Sequence, residues 1–157
     1  MSIRRFALGL SFALFAAAAA AQDQRPGYGP SINITAAKKV AAGVVAECQK
    51  NGWNVAVAIV DISGGLVYFE RMEDTQTASL DIAIMKAKAA ATYRRPTRVF
   101  MDVINKGSPA TATLPGVTAS PGGVPIFVGG KVIGAAGVSG VTGDQDEQCS
   151  KAGIAGM

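Results

Sequence analysis

Histidine is absent from the 157 residues. Without an imidazole there is no Ser-His-Asp triad, no Cys-His pair and no imidazole metal site, so mechanisms that rest on one are excluded. Phosphate loops are missing as well: no Gly-Lys-Ser/Thr follows a glycine run, and no Rossmann glycine spacing occurs. Glu70, Glu73, Asp74 and Asp81 cluster in sequence but lack EF-hand spacing, so no metal site is expected of them. Basic residues are scattered except for Arg94, Arg95 and Arg98, too small a cluster for a nucleic-acid footprint. No internal repeat is visible.

What the chain does have is a distinctive start. Arg4 and Arg5 precede an uncharged run from Phe6 to Ala20, which closes on Ala19-Ala20-Ala21-Gln22. A charged start, an apolar run and a small-residue end are the three parts of a cleavable secretory signal. The run is shorter than the roughly 20 apolar residues that span a bilayer, which argues against an anchor. Residues 1–21 are therefore expected to be a signal peptide, 22–32 a flexible leader rich in Pro and Gly, and 33–157 one periplasmic or secreted domain. No membrane span is expected after cleavage. Loss of Arg4 and Arg5 would lower the formal charge of +4. Cys48 and Cys149 are the two cysteines, and an even count in an exported chain suggests a disulfide between them. Two separately buried thiols are the alternative.

Residues 35–50 carry Val40, Ala41, Val44, Val45 and Cys48 at spacings of three and four, one apolar helix face, with Thr35 as its cap and Asn51-Gly52 as its stop. Residues 54–62 and 66–72 read as strands around a Ser63-Gly64-Gly65 turn. Residues 79–93 form an alanine-dense helix with Ile82, Met85, Ala89 and Ala90 on one side. Pro96 interrupts it, and Thr97 caps a shorter helix over 98–105. Residues 108–123 show no periodicity and read as a long loop. A second hairpin spans 124–138 around Gly129-Gly130, and Thr142 or Asp144 caps a last helix that carries Cys149 and, one turn on, Ala152 and Gly153. The order α-β-β-α-α-β-β-α predicts an α+β fold, an antiparallel sheet flanked by helices. The first and last helices would lie side by side, within reach of the bridge.

Several segments resemble one family. They are Val57 to Asp61 with Gly64-Gly65, Arg71-Met72-Glu73-Asp74, the helix from Ser79 to Ala91 with Lys86-Ala87, Gly122-Gly123-Val124-Pro125-Ile126, Ile133 to Gly140, and Asp146 with Lys151-Ala152-Gly153. Together they resemble the GlcG/HbpS-like, or haem-degrading domain, family over residues 33 to 154. The resemblance implies a profilin-like domain, assembly into homo-oligomers, and haem or a related tetrapyrrole as ligand. It also implies, as alternatives, weak haem-degrading or redox activity, or binding of small organic acids. The chain departs from the family pattern in Glu73-Asp74, which replaces Asp-Gly, and in having no histidine, so a haem here would lack a His ligand.

Among candidate ligand-binding residues, Gly122-Gly123 before Pro125 can expose backbone N–H groups to an anion, or can simply shape the start of a strand. Arg71 can clamp a carboxylate, or can pair with Glu73, Asp74 or Asp81. Lys86 is either a ligand contact or a snorkelling surface lysine. Arg71, Lys86, Gly122, Gly123 and Pro125 are the expected ligand-binding residues, with the Gly122-Gly123 turn, Arg71 and Lys86 converging on one pocket. The remaining axial ligands for haem are Tyr28, Tyr68, Tyr93, Met72, Met85 and Met101, the cysteines being taken up by each other. No catalytic residue is singled out.

Overall fold

A computed structural model describes residues 25–157; the expected signal peptide and the first residues of the leader lie outside them. The elements are α1 (Ile34–Lys50), β1 (Ala56–Val60), β2 (Leu66–Arg71), α2 (Ser79–Tyr93), α3 (Arg98–Asn105), a 3-10 turn (Pro109–Thr113), β3 (Gly123–Val128), β4 (Lys131–Ser139) and α4 (Gly143–Ala155). The strands form one antiparallel sheet of four, in the order β2-β1-β4-β3, so the expected α+β architecture is present.

Strand alternation sends two kinds of side chain to the two faces. Val57, Ile59, Ile126, Ile133 and Val138 pack with Val40, Val44 and Cys48 of α1 and Cys149 of α4. On the other face Ala56, Ala58, Val60 and Ala135 meet Ala83, Ala87, Ala90 and Ala91 of α2. That second face is nearly flat, so α2 descends close to the strands: a Cβ on Gly137 would lie 2.1 Å from the Ala83 carbonyl oxygen. Small residues line the seam, with Lys86 the exception. The buried side of α2 is therefore Ser79, Ala83, Lys86, Ala87 and Ala89 to Ala91. The bulkier Met85, expected on the apolar side, is exposed.

The same economy joins α1 to α4. A Cβ on Gly153 would come within 2.5 Å of the Val40 carbonyl oxygen, so glycine is needed where the helices touch. One turn away the expected disulfide joins Cys48 to Cys149, with 5.7 Å between their Cα atoms. Asn33, rather than Thr35, caps α1 through the Ala36 N–H. Thr142 closes a capping box with Gln145 on α4. Thr97 makes no cap; its hydroxyl donates to the Ser120 carbonyl instead.

The end of the leader is held. β1 stops pairing with β4 at Val60 and Ala135, which leaves the start of β4 open on that flank. Residues 26–32 take the place: the Val132 N–H donates to Gly27, Gly29 donates to Val132, and Ile32 donates to Ile133. Tyr28 fastens the segment to the end of α2 by donating to the Ala91 and Thr92 carbonyls, and Arg94 stacks 5.1 Å from its ring centre. This docking was not legible as such in a segment read as a flexible leader.

Candidate functional site

A cleft of about 550 Å³ opens between the end of β2 and the end of α1. Val45, Gln49, Gly52, Trp53 and Asn54 form one wall, and Glu70, Arg71, Met72, Glu73 and Asp74 the other. Local sequence explains the shape. Gly52, with φ of 71°, turns the chain out of α1. Asp74 adopts a left-handed φ of 58° where β2 turns toward α2. The Met72 N–H donates to Val55 at 3.0 Å, and the Thr75 hydroxyl donates to the Met72 carbonyl at 2.8 Å, so the strand end is pinned.

Arg71 is exposed, and no carboxylate of the described residues pairs with it. It is the cation among the lining residues, against the carboxylates of Glu70, Glu73 and Asp74. Tyr68 donates to Glu70 at 2.9 Å, and that acceptor, with burial and the nearby negative charge, pushes the phenol pKa up.

Lys86 lies elsewhere and is buried with its side chain 2% exposed. Its ammonium donates to Asp146 Oδ2 at 2.8 Å and to the Val138 carbonyl at 3.1 Å. Burial, the largest influence, pushes the Asp146 carboxyl up, and the hydrogen bond and charge of Lys86 pull it back. The Val141 N–H also donates to Asp146, at 3.2 Å. The pair ties α2 to α4 across the end of β4.

Gly122 and Gly123 seal this node. A Cβ on Gly122 would lie 2.6 Å from the Val138 oxygen and 3.0 Å from Lys86 Nζ, and its φ of 123° favours glycine in any case. A Cβ on Gly123 would lie 2.3 Å from the Lys86 carbonyl oxygen. The Gly123 N–H donates to Thr97 Oγ1 at 3.0 Å, and the Ser150 hydroxyl donates to the Gly122 carbonyl at 2.6 Å. Pro125 is buried in β3 opposite Ala135. β3 is an edge strand, where the missing N–H of proline is tolerated.

The structure thus brings Lys86, Gly122 and Gly123 together, sets Pro125 two residues further along β3, and leaves Arg71 apart. Arg71 belongs to β2, one edge of the sheet, and the glycines lie at the start of β3, the other edge. Three strand spacings separate them, about 14 Å. Sequence reasoning placed Asp146 in a motif but gave it no role. Its signal was Lys86 on the alanine side of α2, where a buried cation needs a counter-charge, whereas Lys88 is exposed. A second acidic pair was also missed: Arg98 is gripped by Asp144 and Glu147, which hold it firmly protonated.

An α+β domain with two hairpins in one sheet, α2 on one face and a disulfide-linked α1 and α4 on the other, defines the structural class. The chain belongs to the HbpS-like family: residues 32–155 match the family described as "Haem degrading protein HbpS-like". It is 40% identical over 110 residues to Protein GlcG of Escherichia coli (strain K12), covering 68% of this chain and 82% of that one. A double mutant of HbpS from Streptomyces reticuli superposes with a TM-score of 0.76 at 31% identity, covering 89% of this chain and 96% of the other. A structure described as a PduOC:Heme complex superposes with a TM-score of 0.74 at 25% identity, covering 81% and 95%.

Proposed function

We propose that the chain is an exported, non-catalytic binder of haem or a related tetrapyrrole, and that the Arg71 cleft is its site. The observation that carries this is an exposed, unpaired Arg71 on the wall of a roughly 550 Å³ cleft that also offers Trp53 and Met72. A porphyrin needs apolar or aromatic walls for its ring and a cation for a propionate, and a ligand pocket of a few hundred Å³ is the usual scale. Membership in the HbpS-like family and the haem-bound PduOC relative support the same ligand class. Bound haem would supply a redox-active iron; the residues above would hold and orient it.

Three carboxylates beside one arginine disfavour a small organic acid, whose charge would sit wholly within their field. A haem keeps most of its volume neutral and presents propionates at its edge. The non-catalytic part is supported by the placement of Lys86 and Asp146: both side chains are 2% exposed and bonded to each other, so neither is poised to exchange a proton with a ligand. Assembly into a homo-oligomer belongs to this reading too, with Phe127 and Val128 exposed on the β3 edge in its support; a monomer by light scattering at tens of micromolar would defeat that part. Incubation of the chain lacking residues 1–21 with haemin tests the main claim. A stable Soret shift is expected. No shift would overturn binding, and bleaching beyond a protein-free control would overturn the non-catalytic assignment.

A further inference from the structure

We propose that the end of the domain carrying the tip of the β3–β4 hairpin docks on an anionic lipid surface. Strand register defines the two ends. Val60 pairs with Leu66 and with Ala135, and Val128 pairs with Lys131. The β1–β2 turn and the hairpin tip at Gly129-Gly130 therefore project from the same end. The leader runs beside the start of β4 and delivers α1 there, where Pro30, Ile32, Ala36, Val128 and Ile133 enclose a hollow of about 220 Å³. The last turns of α2 arrive there too: Lys88, Thr92 and Tyr93 share a second hollow with Gly64, Gly65 and Pro115. Cys149 meets Cys48 and Gly153 meets Val40, so α4 runs antiparallel to α1 and also finishes at this end. Arg71 pairs with Ala56 at the other end, so the inference is independent of the haem reading.

Two properties coincide at the hairpin end. The first is exposed apolar surface. Ile34, Phe127 and Val128 stand exposed by the first hollow, Leu66 and Leu114 by the second, and Tyr28 on the docked leader. Met157 follows α4, and Met85 on α2 is the exposed large apolar residue set apart, among the described residues. The second property is charge. Arg25, Lys88 and Lys131 are exposed at this end, and Lys38 and Lys39 follow in the early turns of α1. Asp61 is the acidic side chain of these elements, and its carboxylate already accepts from Ser63 and Gly65. The carboxylates gather at the opposite end, with Glu70, Glu73 and Asp74 at the cleft and Asp144 and Asp146 at the start of α4. Gathered apolar side chains mark an interaction surface. A bilayer interface takes them below its headgroups, while bases beside them meet anionic lipid. A second copy meeting this end symmetrically would set the same bases against each other. Docked in this way, the domain keeps the Arg71 cleft turned away from the membrane and open to solution.

The test is co-flotation of the chain lacking residues 1–21 with vesicles. The fold is complete within residues 25–157, and the apolar run of residues 6–20 would bind lipid by itself. Vesicles of phosphatidylcholine with phosphatidylglycerol should carry the protein, and phosphatidylcholine alone should not. Added salt should weaken the binding. Lys131→Gln should weaken it about five-fold, whereas Lys50→Gln, the same charge change at the far end of α1, should leave it unaltered. Phe127→Ser with Val128→Ser should abolish it. Val128→Trp, which removes no apolar surface, should show a blue-shifted emission with anionic vesicles over the constant signal of Trp53, which lies at the cleft. No flotation, or equal flotation with both vesicles, would overturn the proposal. Equal weakening by Lys131→Gln and Lys50→Gln would also overturn it, by reducing the attraction to net charge. So would light scattering in which Phe127→Ser with Val128→Ser turns an oligomer into a monomer, because a second copy would then cover this end.

Discussion

Arg71 and Lys86 are both cations near one end of the sheet, yet their surroundings are opposite. Arg71 sits on an edge strand, exposed, without a carboxylate partner among the described residues. Lys86 is enclosed between two helices and a strand and bonded to Asp146. A buried charge must have its partner supplied by the fold, because desolvation costs several kcal/mol. An exposed arginine with no partner leaves its five donors to water or to a ligand. The contrast separates a residue that holds the architecture from one that can recognise something outside it.

The largest expected effect comes from breaking the enclosed pair. Lys86→Met leaves Asp146 buried without its cation and should cost about 3–5 kcal/mol in denaturant melts. The sign of its pH dependence also follows. Asp146 already titrates above its ordinary value because of burial, and loss of Lys86 would raise it further. A raised carboxyl stabilises the fold while protonated, so the stability of Lys86→Met should fall as pH rises through the range above about 4. Adding Asp146→Leu should recover most of the loss, since buried ion pairs replaced by apolar residues are often neutral. A single variant as stable as the parent would remove Lys86 from its structural role.

Next in size is the bridge. Cys48→Ala with Cys149→Ala opens a loop whose ends are 101 residues apart. The expected loss is about 2–5 kcal/mol by thermal or denaturant unfolding. No change between oxidised and reduced protein would contradict it.

Arg71→Ala should move in the other dimension. Haemin affinity should weaken by about 1.5–3 kcal/mol, the worth of a charge-assisted contact. Stability should stay within roughly 0.5 kcal/mol, as for most surface substitutions. Equal affinity in a folded variant would take Arg71 out of the site and dissolve the contrast with Lys86.

The smallest effect concerns Asp61, in the turn between β1 and β2. The Ser63 side chain, chiefly, with the backbone N–H groups of Gly65 and Ser63, holds its carboxyl below the ordinary value. Its contribution is therefore present above the ordinary carboxylate range and lost as pH falls through the depressed value, the reverse of Asp146. Asp61→Asn should flatten the acid side of the stability profile measured between about pH 5 and pH 2. An unaltered acid limb would refute it.

Much of the fold was legible because period and punctuation agree: α1, α2, both hairpins and the last cap stand where apolar spacing and glycine turns put them. The face of α2 was not, because periodicity favours Ile82 and Met85, whereas a sheet surface of alanine and glycine admits small residues and, beyond them, Lys86 alone of the long side chains on α2. Lys86 within that face gave no apolar signal at all. The separation of Arg71 from Gly122 depends on strand order, which no local pattern encodes. The docked leader depends on β4 being longer than β1, again a property of two strands that are remote in sequence.

The disulfide has a temporal consequence. Cys48 lies on α1, the first helix described, and Cys149 on α4, the last. A polypeptide that emerges from a ribosome or a translocation channel with its N-terminus leading presents the first thiol long before the second. Throughout that interval α1 lacks the helix it packs against, and its valine face is covered only by early strands or by a chaperone. Covalent closure must therefore wait until the chain has emerged as far as Cys149, and cannot guide the earlier folding of α1.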